Sequence, residues 1–306
     1  MKIITHGKFG KELAEHYKNN RIENLQIDYL DNLTQEIIDQ YDGWAAFSPP
    51  KNLEISHIKW IHSFAAGVDN YTRRTDLNPE LILTKSVGDM ARKMAEYCLA
   101  QIMLNAQNCL KLYDNQRSSS WLRYPPKMLR GEVVALLGTG FMAKGIADLL
   151  RAIGMKTTGI NRNGNDSDNF DLTFSFAEFK KNPPAISYLI STLPSTPNNY
   201  HLLDDSFFGK FQKIHFINCG RGDVVDEDAL LSALERGNIS LASLDVFEQE
   251  PLAHESKLWN HPKIIISPHQ ASLTSCQDVL ESFAIALEAV LNNQKCELKI
   301  DLKLGY

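Results

Sequence analysis

Short apolar runs alternate with stretches of helical periodicity along most of the chain. "KIITH" (2–6), "LQIDYL" (25–30), "WAAFS" (44–48) and "IKWIHS" (58–63) read as strands, with "FGKELAEHYKN" as a helix between the first two. This alternation predicts βαβ units and a parallel sheet. Residues 89–117 carry the longest helical pattern, with Met94, Cys98, Met103 and Leu110 roughly on one face and no Gly or Pro inside it. A single long helix is expected there, joining two domains. A polar, Pro-rich loop (118–126) follows it. A second series of strands is predicted at 132–138, 156–161, 185–191, 213–218, 239–247 and 263–268, with helices between. Six strands interleaved with helices describe a doubly wound domain. A last helix is expected over 275–293. No repeat of solenoid length or low-complexity tract interrupts the pattern.

The length, 306 residues, suits about two domains. An apolar fraction of 43% and a charged fraction of 23% are those of an ordinary globular protein. The net charge of −5 gives no electrostatic footprint for nucleic acid. No apolar run approaches the ~20 residues of a membrane span. The opening "MKIITHGKFG" turns polar too soon for a signal peptide and reads as a strand and a turn. Five cysteines without C-x-x-C spacing suggest reduced thiols and a cytoplasmic protein, with neither a disulfide frame nor a metal site.

Chemistry enters at the glycine turn of "VVALLGTGFMAKGIADLL". Gly138, Gly140 and Ala143 form G-x-G-x-x-A between an apolar strand and an amphipathic helix. Gly138 allows the tight turn, Gly140 lets a pyrophosphate approach the backbone, and Ala143 keeps the helix near the sheet. An acidic residue about 20 positions on would bond the adenosine ribose. Here the second strand ends in Asn161 followed by Arg162. An Asp would repel a 2′-phosphate, whereas Arg162 could pair with it, so NADP is expected over NAD.

Three further residues fall at or near strand tips. Arg221 follows "KIHFIN" between Gly220 and Gly222, Glu250 lies in "LDVFEQEPL", and His269 lies in "IIISPHQAS". A parallel sheet delivers such positions to the same edge as the glycine turn. Arg offers a planar fork for a carboxylate. His exchanges a proton near neutral pH, and a carboxylate beside it fixes the ring. Glu248 is a rival to Glu250. The set contains no nucleophile with a base and no metal-ligand spacing. It suits chemistry in which a cofactor carries the hydride and the protein supplies orientation and one proton.

The quoted motifs, with "LPSTP", "FINCGRGDVVDEDALLSAL" and "SFAAGVDN", resemble the D-isomer-specific 2-hydroxyacid dehydrogenase family through nearly the whole chain. The "NR" at 161–162 and the ending "DLKLGY" resemble its glyoxylate/hydroxypyruvate reductase-like branch. The resemblance implies an α/β protein in which a doubly wound, parallel-sheet (Rossmann) nucleotide domain (99–273) is inserted into a smaller flavodoxin-like substrate domain (1–98 plus 274–306), with a cleft between them. It implies an NAD(P)-dependent oxidoreductase that reduces a small 2-oxo acid to a D-2-hydroxy acid, and a homodimer. Arg221 and the backbone N–H groups of Ala66 and Gly67 would hold the substrate, His269 would donate the proton and Glu250 would support it. Gly138, Gly140, Phe141, Met142, Asn161, Arg162, Pro194, Cys219 and Asp245 would line the coenzyme, with Asp245 on the nicotinamide carboxamide. A dehydrogenase for a larger or phosphorylated acid, using Arg73 or Arg74, and a nucleotide-sensing binding protein are the alternative readings. Side-chain preference would rest on the loops at 48–52, 63–70 and 86–92.

Overall fold

Successive residues of each central strand belong to different cores. In a computed structural model that describes residues 1–302, Ile3 and Ile4 face opposite ways, as do Trp60 and Ile61. Leu136 and Leu137, and Phe216 and Ile217, divide likewise. This period of two on a strand buried on both faces is what helices covering both sides of a parallel sheet require. The chain divides into two units, residues 1–90 with 274–306, and residues 91–273.

The first unit holds β1 (Lys2–Thr5), β2 (Gln26–Tyr29), β3 (Gly43–Ala46), β4 (Trp60–Ser63) and β5 (Ile82–Lys85) in the parallel order β2-β1-β3-β4-β5. β5 was not expected from the sequence. "ILTK" is four residues long and emerges from the polar run "DLNPE", so no extended apolar run announces it. The last helix, Cys276–Leu291, completes this unit. Ser275 and Asp278 form a capping box at its N-terminus. Asp278 also accepts the Asp89 N–H at 2.9 Å, and Ser282 accepts the Val87 N–H at 3.0 Å. Phe283 packs its ring 5.2 Å from both Trp60 and His62, which fixes the helix on the sheet.

The second unit holds β6 (Val133–Leu137), β7 (Lys156–Asn161), β8 (Leu172–Ser175), β9 (Tyr188–Ser191), β10 (Ile214–Asn218), β11 (Ile239–Leu244) and β12 (Ile264–Ile266). Their order is β12-β11-β10-β9-β6-β7-β8, all parallel. β8 was missed because an edge strand is half-exposed: Leu172 faces water, and among the described strands β8 pairs with β7 alone.

The expected helix over 89–117 is two helices, Met90–Ala106 and Cys109–Arg117. Asn108 breaks it in the left-handed region at φ 55°, a conformation Asn tolerates without glycine. The buried stripe is Ala95, Cys98, Ile102 and Ala106, while Met103 and Leu110 face solvent.

Each unit buries one imidazole on a strand. His62 lies between the Thr84 hydroxyl (2.9 Å) and the Ser86 hydroxyl (3.1 Å), and His215 Nε2 lies 2.9 Å from Ser243 Oγ. Burial pushes both pKa values from 6.5 down to about 3. The unfolded chain therefore binds more protons than the folded one between those values, and stability must fall as pH drops from about 6.5. Urea titrations between pH 7 and pH 5 are expected to show this decline, and His215→Gln should remove about one proton from its slope. An unchanged slope in the folded variant would mean that His215 is protonated in the native state.

Candidate active site

The glycine turn follows β6. Gly138 sits at φ 102°, and a Cβ there would meet Thr192 Oγ1 at 2.7 Å, so both conformation and space demand glycine. Gly140 differs. It is the N-cap of the helix Phe141–Ala152, makes no side-chain cap, and a Cβ on it would stand in open space. Packing does not require glycine there. Open space beside an uncapped helix N-terminus suits a phosphate group that must come close to the backbone. Ala143 is fully buried, and the closest helix approach falls at Gly145, whose Cβ would lie 2.8 Å from the Ala91 Cβ.

β7 ends at Asn161, but the amide of that residue is already committed. Its Oδ1 accepts the N–H groups of Asn163 (3.1 Å), Gly164 (2.7 Å) and Asn165 (3.2 Å). Its Nδ2 donates to the Asn165 carbonyl (2.8 Å) and to Thr139 Oγ1 (3.4 Å). Asn161 therefore folds the loop that carries Arg162 and ties it to the glycine turn. Arg162 is exposed and makes no hydrogen bond or ion pair among the described residues.

Arg221 owes its position to three backbone constraints. Asn218, buried at the tip of β10, receives the Gly220 N–H on Oδ1 (3.2 Å) and donates Nδ2 to the Arg221 carbonyl (3.1 Å). A Cβ on Gly220 would lie 2.6 Å from the Leu193 carbonyl oxygen. A Cβ on Gly222 would lie 1.8 Å from the Phe247 carbonyl carbon. The Arg221 turn thus presses directly on the segment leading to Glu250. Arg221 Nη1 donates to the Gly220 carbonyl at 2.8 Å.

Glu250 and His269 meet. His269 Nδ1 is 2.7 Å from Glu250 Oε2, and Glu250 Oε1 accepts the Phe247 N–H at 3.1 Å. Burial pushes the Glu250 carboxyl up. The bonds from His269 and Phe247, with the His269 and Arg221 charges, outweigh it and leave the group below the ordinary glutamate range. An ionised carboxylate only accepts, so His269 Nδ1 carries the hydrogen and Nε2 is the nitrogen left for other chemistry. The His269 side chain is 51% exposed, so that nitrogen is not sealed in the fold. Glu248 points elsewhere, to the Tyr200 hydroxyl (3.0 Å) and His201 Nε2 (3.1 Å).

Asp245 is 1% exposed and has a structural task. It accepts Ser267 Oγ (2.5 Å) and the Gln270 N–H (2.9 Å) on one oxygen and the Ala271 N–H (2.8 Å) on the other. Its own carbonyl accepts the His269 N–H at 2.8 Å. Tyr97, 2.8 Å from Ser267 Oγ, extends the knot. Cys219 turns inward, with Sγ 3.7 Å from Cys98 Sγ and 3.5 Å from the Ser191 carbonyl, so its side chain is a packing group. Phe141 is exposed, while Met142 and Pro194 are half-buried.

The fold brings Arg221, Glu250 and His269 together in the second unit. Ala66 and Gly67 belong to the first, where their N–H groups donate to no acceptor among the described residues. Arg74 is not available for a ligand. It holds Asp76 and the carbonyls of Pro50 (3.2 Å) and Leu53 (2.8 Å). Asn218 and Tyr97 escaped the sequence reading. A polar residue closing an apolar strand was the available signal for Asn218, and Tyr97 had none.

Known proteins resemble the chain in sequence and fold. The chain is 28% identical over 260 residues to glyoxylate/hydroxypyruvate reductase A of Serratia proteamaculans (strain 568), covering 81% of this chain and 82% of that one. A D-isomer specific 2-hydroxyacid dehydrogenase family protein from Aeromonas salmonicida subsp. salmonicida A449 superimposes with a TM-score of 0.85 at 26% identity, over 98% of this chain and 99% of the other. At 24% identity, the NADPH-dependent glyoxylate/hydroxypyruvate reductase of Sinorhizobium meliloti, solved with NADP and sulfate, has the same fold with a TM-score of 0.86 over 100% and 99% of the two chains. The family model for the D-isomer specific 2-hydroxyacid dehydrogenase NAD binding domain matches residues 99–271, which contain the glycine turn and the Arg221, Glu250 and His269 cluster. On that match over more than half its length, the chain belongs to the D-isomer specific 2-hydroxyacid dehydrogenase family.

Proposed function

We propose that the protein is a reductase of small 2-oxo acids, glyoxylate or hydroxypyruvate, with NADPH as its preferred coenzyme. The observation that carries this reading is the 2.7 Å contact between His269 Nδ1 and Glu250 Oε2 beside Arg221, in the unit that holds the glycine turn. The similarity to the Serratia and Sinorhizobium reductases supports the substrate class and the coenzyme.

A bound nicotinamide coenzyme would supply the hydride. The residues of the chain then bind, orient and protonate. Arg221 holds the substrate carboxylate through its planar fork and polarises the adjacent carbonyl. Ala66 and Gly67 offer backbone N–H donors of the kind a carboxylate needs. His269 Nε2 gives its proton to the carbonyl oxygen as negative charge develops there. Glu250, ionised and bonded to Nδ1, holds the ring. Asp245 keeps one acceptor position for the nicotinamide carboxamide, since a carboxylate has about four and three are filled. Phe141, Met142 and Pro194 supply surface for the coenzyme.

A panel of 2-oxo acids with NADPH and NADH tests the reading directly. His269→Ala should keep coenzyme binding and lose roughly 10²- to 10⁴-fold in kcat. A folded variant with unchanged kcat would remove His269 from the reaction. Arg221→Lys keeps the charge and loses the fork, so a large fall in kcat/KM for the oxo acid is expected with coenzyme affinity intact. Near wild-type kcat/KM would exclude a two-point clamp.

Coenzyme choice follows from the loop at 162–165. A 2′-phosphate paired with Arg162 gains a charge-assisted bond of roughly 1.5–3 kcal/mol. That corresponds to about 10- to 100-fold tighter binding of NADPH than NADH. Arg162→Ala should erase most of that difference and leave NADH unaffected. Fluorescence titration giving equal dissociation constants in the unmutated protein would refute the assignment.

A further inference from the structure

Glu250 stands on a segment that no ladder of main-chain bonds holds. Residues 246–252 follow β11 and exchange no backbone–backbone hydrogen bond among the described residues. The Phe247 N–H goes instead to the side chain of Glu250. Burial secures the start of the segment at Val246 and Phe247. From Glu248 to Pro251 the chain is exposed. There side-chain bonds must supply what main-chain bonds supply elsewhere.

Glu248 makes such bonds in two directions. Its Oε1 receives the Tyr200 hydroxyl (3.0 Å) and lies 3.1 Å from His201 Nε2. Its N–H donates to Glu227 Oε1 at 3.1 Å. Tyr200 and His201 follow β9, and Glu227 opens the helix Glu227–Arg236 that follows β10. One residue therefore joins the segment after β11 to the segments after both of the neighbouring strands. The anchor on the β9 side is itself held. The rings of Tyr200 and His201 stack with centroids 4.1 Å apart at 12°. His201 sits in the left-handed region at φ 47°, and its N–H donates to the Asp223 carbonyl at 2.9 Å. The Leu203 N–H donates to the Val224 carbonyl (3.0 Å), and the Asp226 N–H to the Leu203 carbonyl (3.3 Å). Asp223 and Val224 belong to the turn that begins at Arg221. The same stretch of chain thus grips the arginine turn on one side and the glutamate segment on the other.

We propose that Glu248 is a positioning residue for the reduction: held by Tyr200 and His201, it fixes the segment that carries Glu250 and thereby the contact of Glu250 with His269. Its carboxylate bonds to Tyr200 and His201, away from His269, and it acts only through Glu250. The proposal rests on the reading of Glu250 and His269 as the pair that serves proton transfer, so one arm of its test is read without substrate.

That arm is the tautomer of His269, read by NMR from the nitrogen chemical shifts of its ring in the free, full-length protein at a pH where the ring is neutral. The unmutated protein should carry the hydrogen on Nδ1, as the bond to Glu250 requires. Finding it on Nε2 would defeat the reading of the pair itself, and the proposal with it. In Glu248→Ala the tautomer should drift towards Nε2–H as the Glu250 bond loosens. The second arm is kinetic. Glu248→Ala should lose about 10- to 100-fold in kcat, the scale of a misplaced catalytic group, with the KM for the coenzyme unchanged. Tyr200→Phe combined with His201→Asn removes both partners and keeps Glu248, and Asn tolerates the left-handed backbone. It should reproduce both effects, and it decides the matter if Glu248→Ala does not fold. Glu248→Gln keeps an acceptor for Tyr200 and should recover most of kcat. The proposal is overturned if the folded variants keep the unmutated tautomer or the unmutated kcat. It is also overturned if the coenzyme KM rises in step with the fall in kcat, or if glutamine does no better than alanine.

Discussion

The placement of His269 in the second unit depends on one buried carboxylate. Asp245 receives a hydroxyl and two backbone N–H groups on its side chain and a third N–H on its carbonyl, all from residues 267–271. Those residues form the turn on which His269 stands, at φ 50°. Left-handed backbone is costly for a residue with a Cβ and persists only where surrounding bonds impose it. Asp245 imposes it, and the histidine is thereby aimed at Glu250. An exposed turn with the same sequence would have no such anchor, because water would compete for every one of those bonds.

The arginine is placed by steric exclusion as well as by the bonds of Asn218. Gly222 lies so close to the Phe247 carbonyl that no side chain fits, and Gly220 is nearly as close to Leu193. The two contacts lock the turn after β10 against the segment after β11 and the segment after β9. Neighbouring strands in a parallel sheet end at one edge, so one missing Cβ on each side of Arg221 brings a guanidinium into the field of Glu250. The glycines are close-packing residues first, and flexibility does not enter.

Strand tips were therefore legible from sequence, because a buried parallel strand is a continuous apolar run and its end is marked by glycine or a charged residue. β6, β7, β9 and β10 sit within the runs read from the sequence, and the cluster of Arg221, Glu250 and His269 follows from them. Elements with mixed patterns were not legible. β5 and β8 lie at sheet edges where half the residues meet water, and the break at Asn108 needs neither Gly nor Pro. Nor could single-residue roles be read where two polar residues compete. Glu248 and Glu250 stand two apart with equal chemistry, and only the folded chain sends one to His201 and the other to His269.

The same limit explains the loop after β7. From the sequence, Asn161 is a neutral substitute for an acidic ribose ligand. In the folded chain its amide oxygen gathers three N–H groups, a task no side chain with a single hydrogen-bonding atom could share with the bonds it donates to Thr139 and Asn165. An Asp at this position would accept the same three bonds but donate neither of the others. It would also place a full negative charge beside Arg162. The replacement of carboxylate by amide therefore does two things with one change: it closes the loop with donors as well as acceptors, and it leaves the exposed cation of Arg162 uncompensated at the edge of the glycine turn.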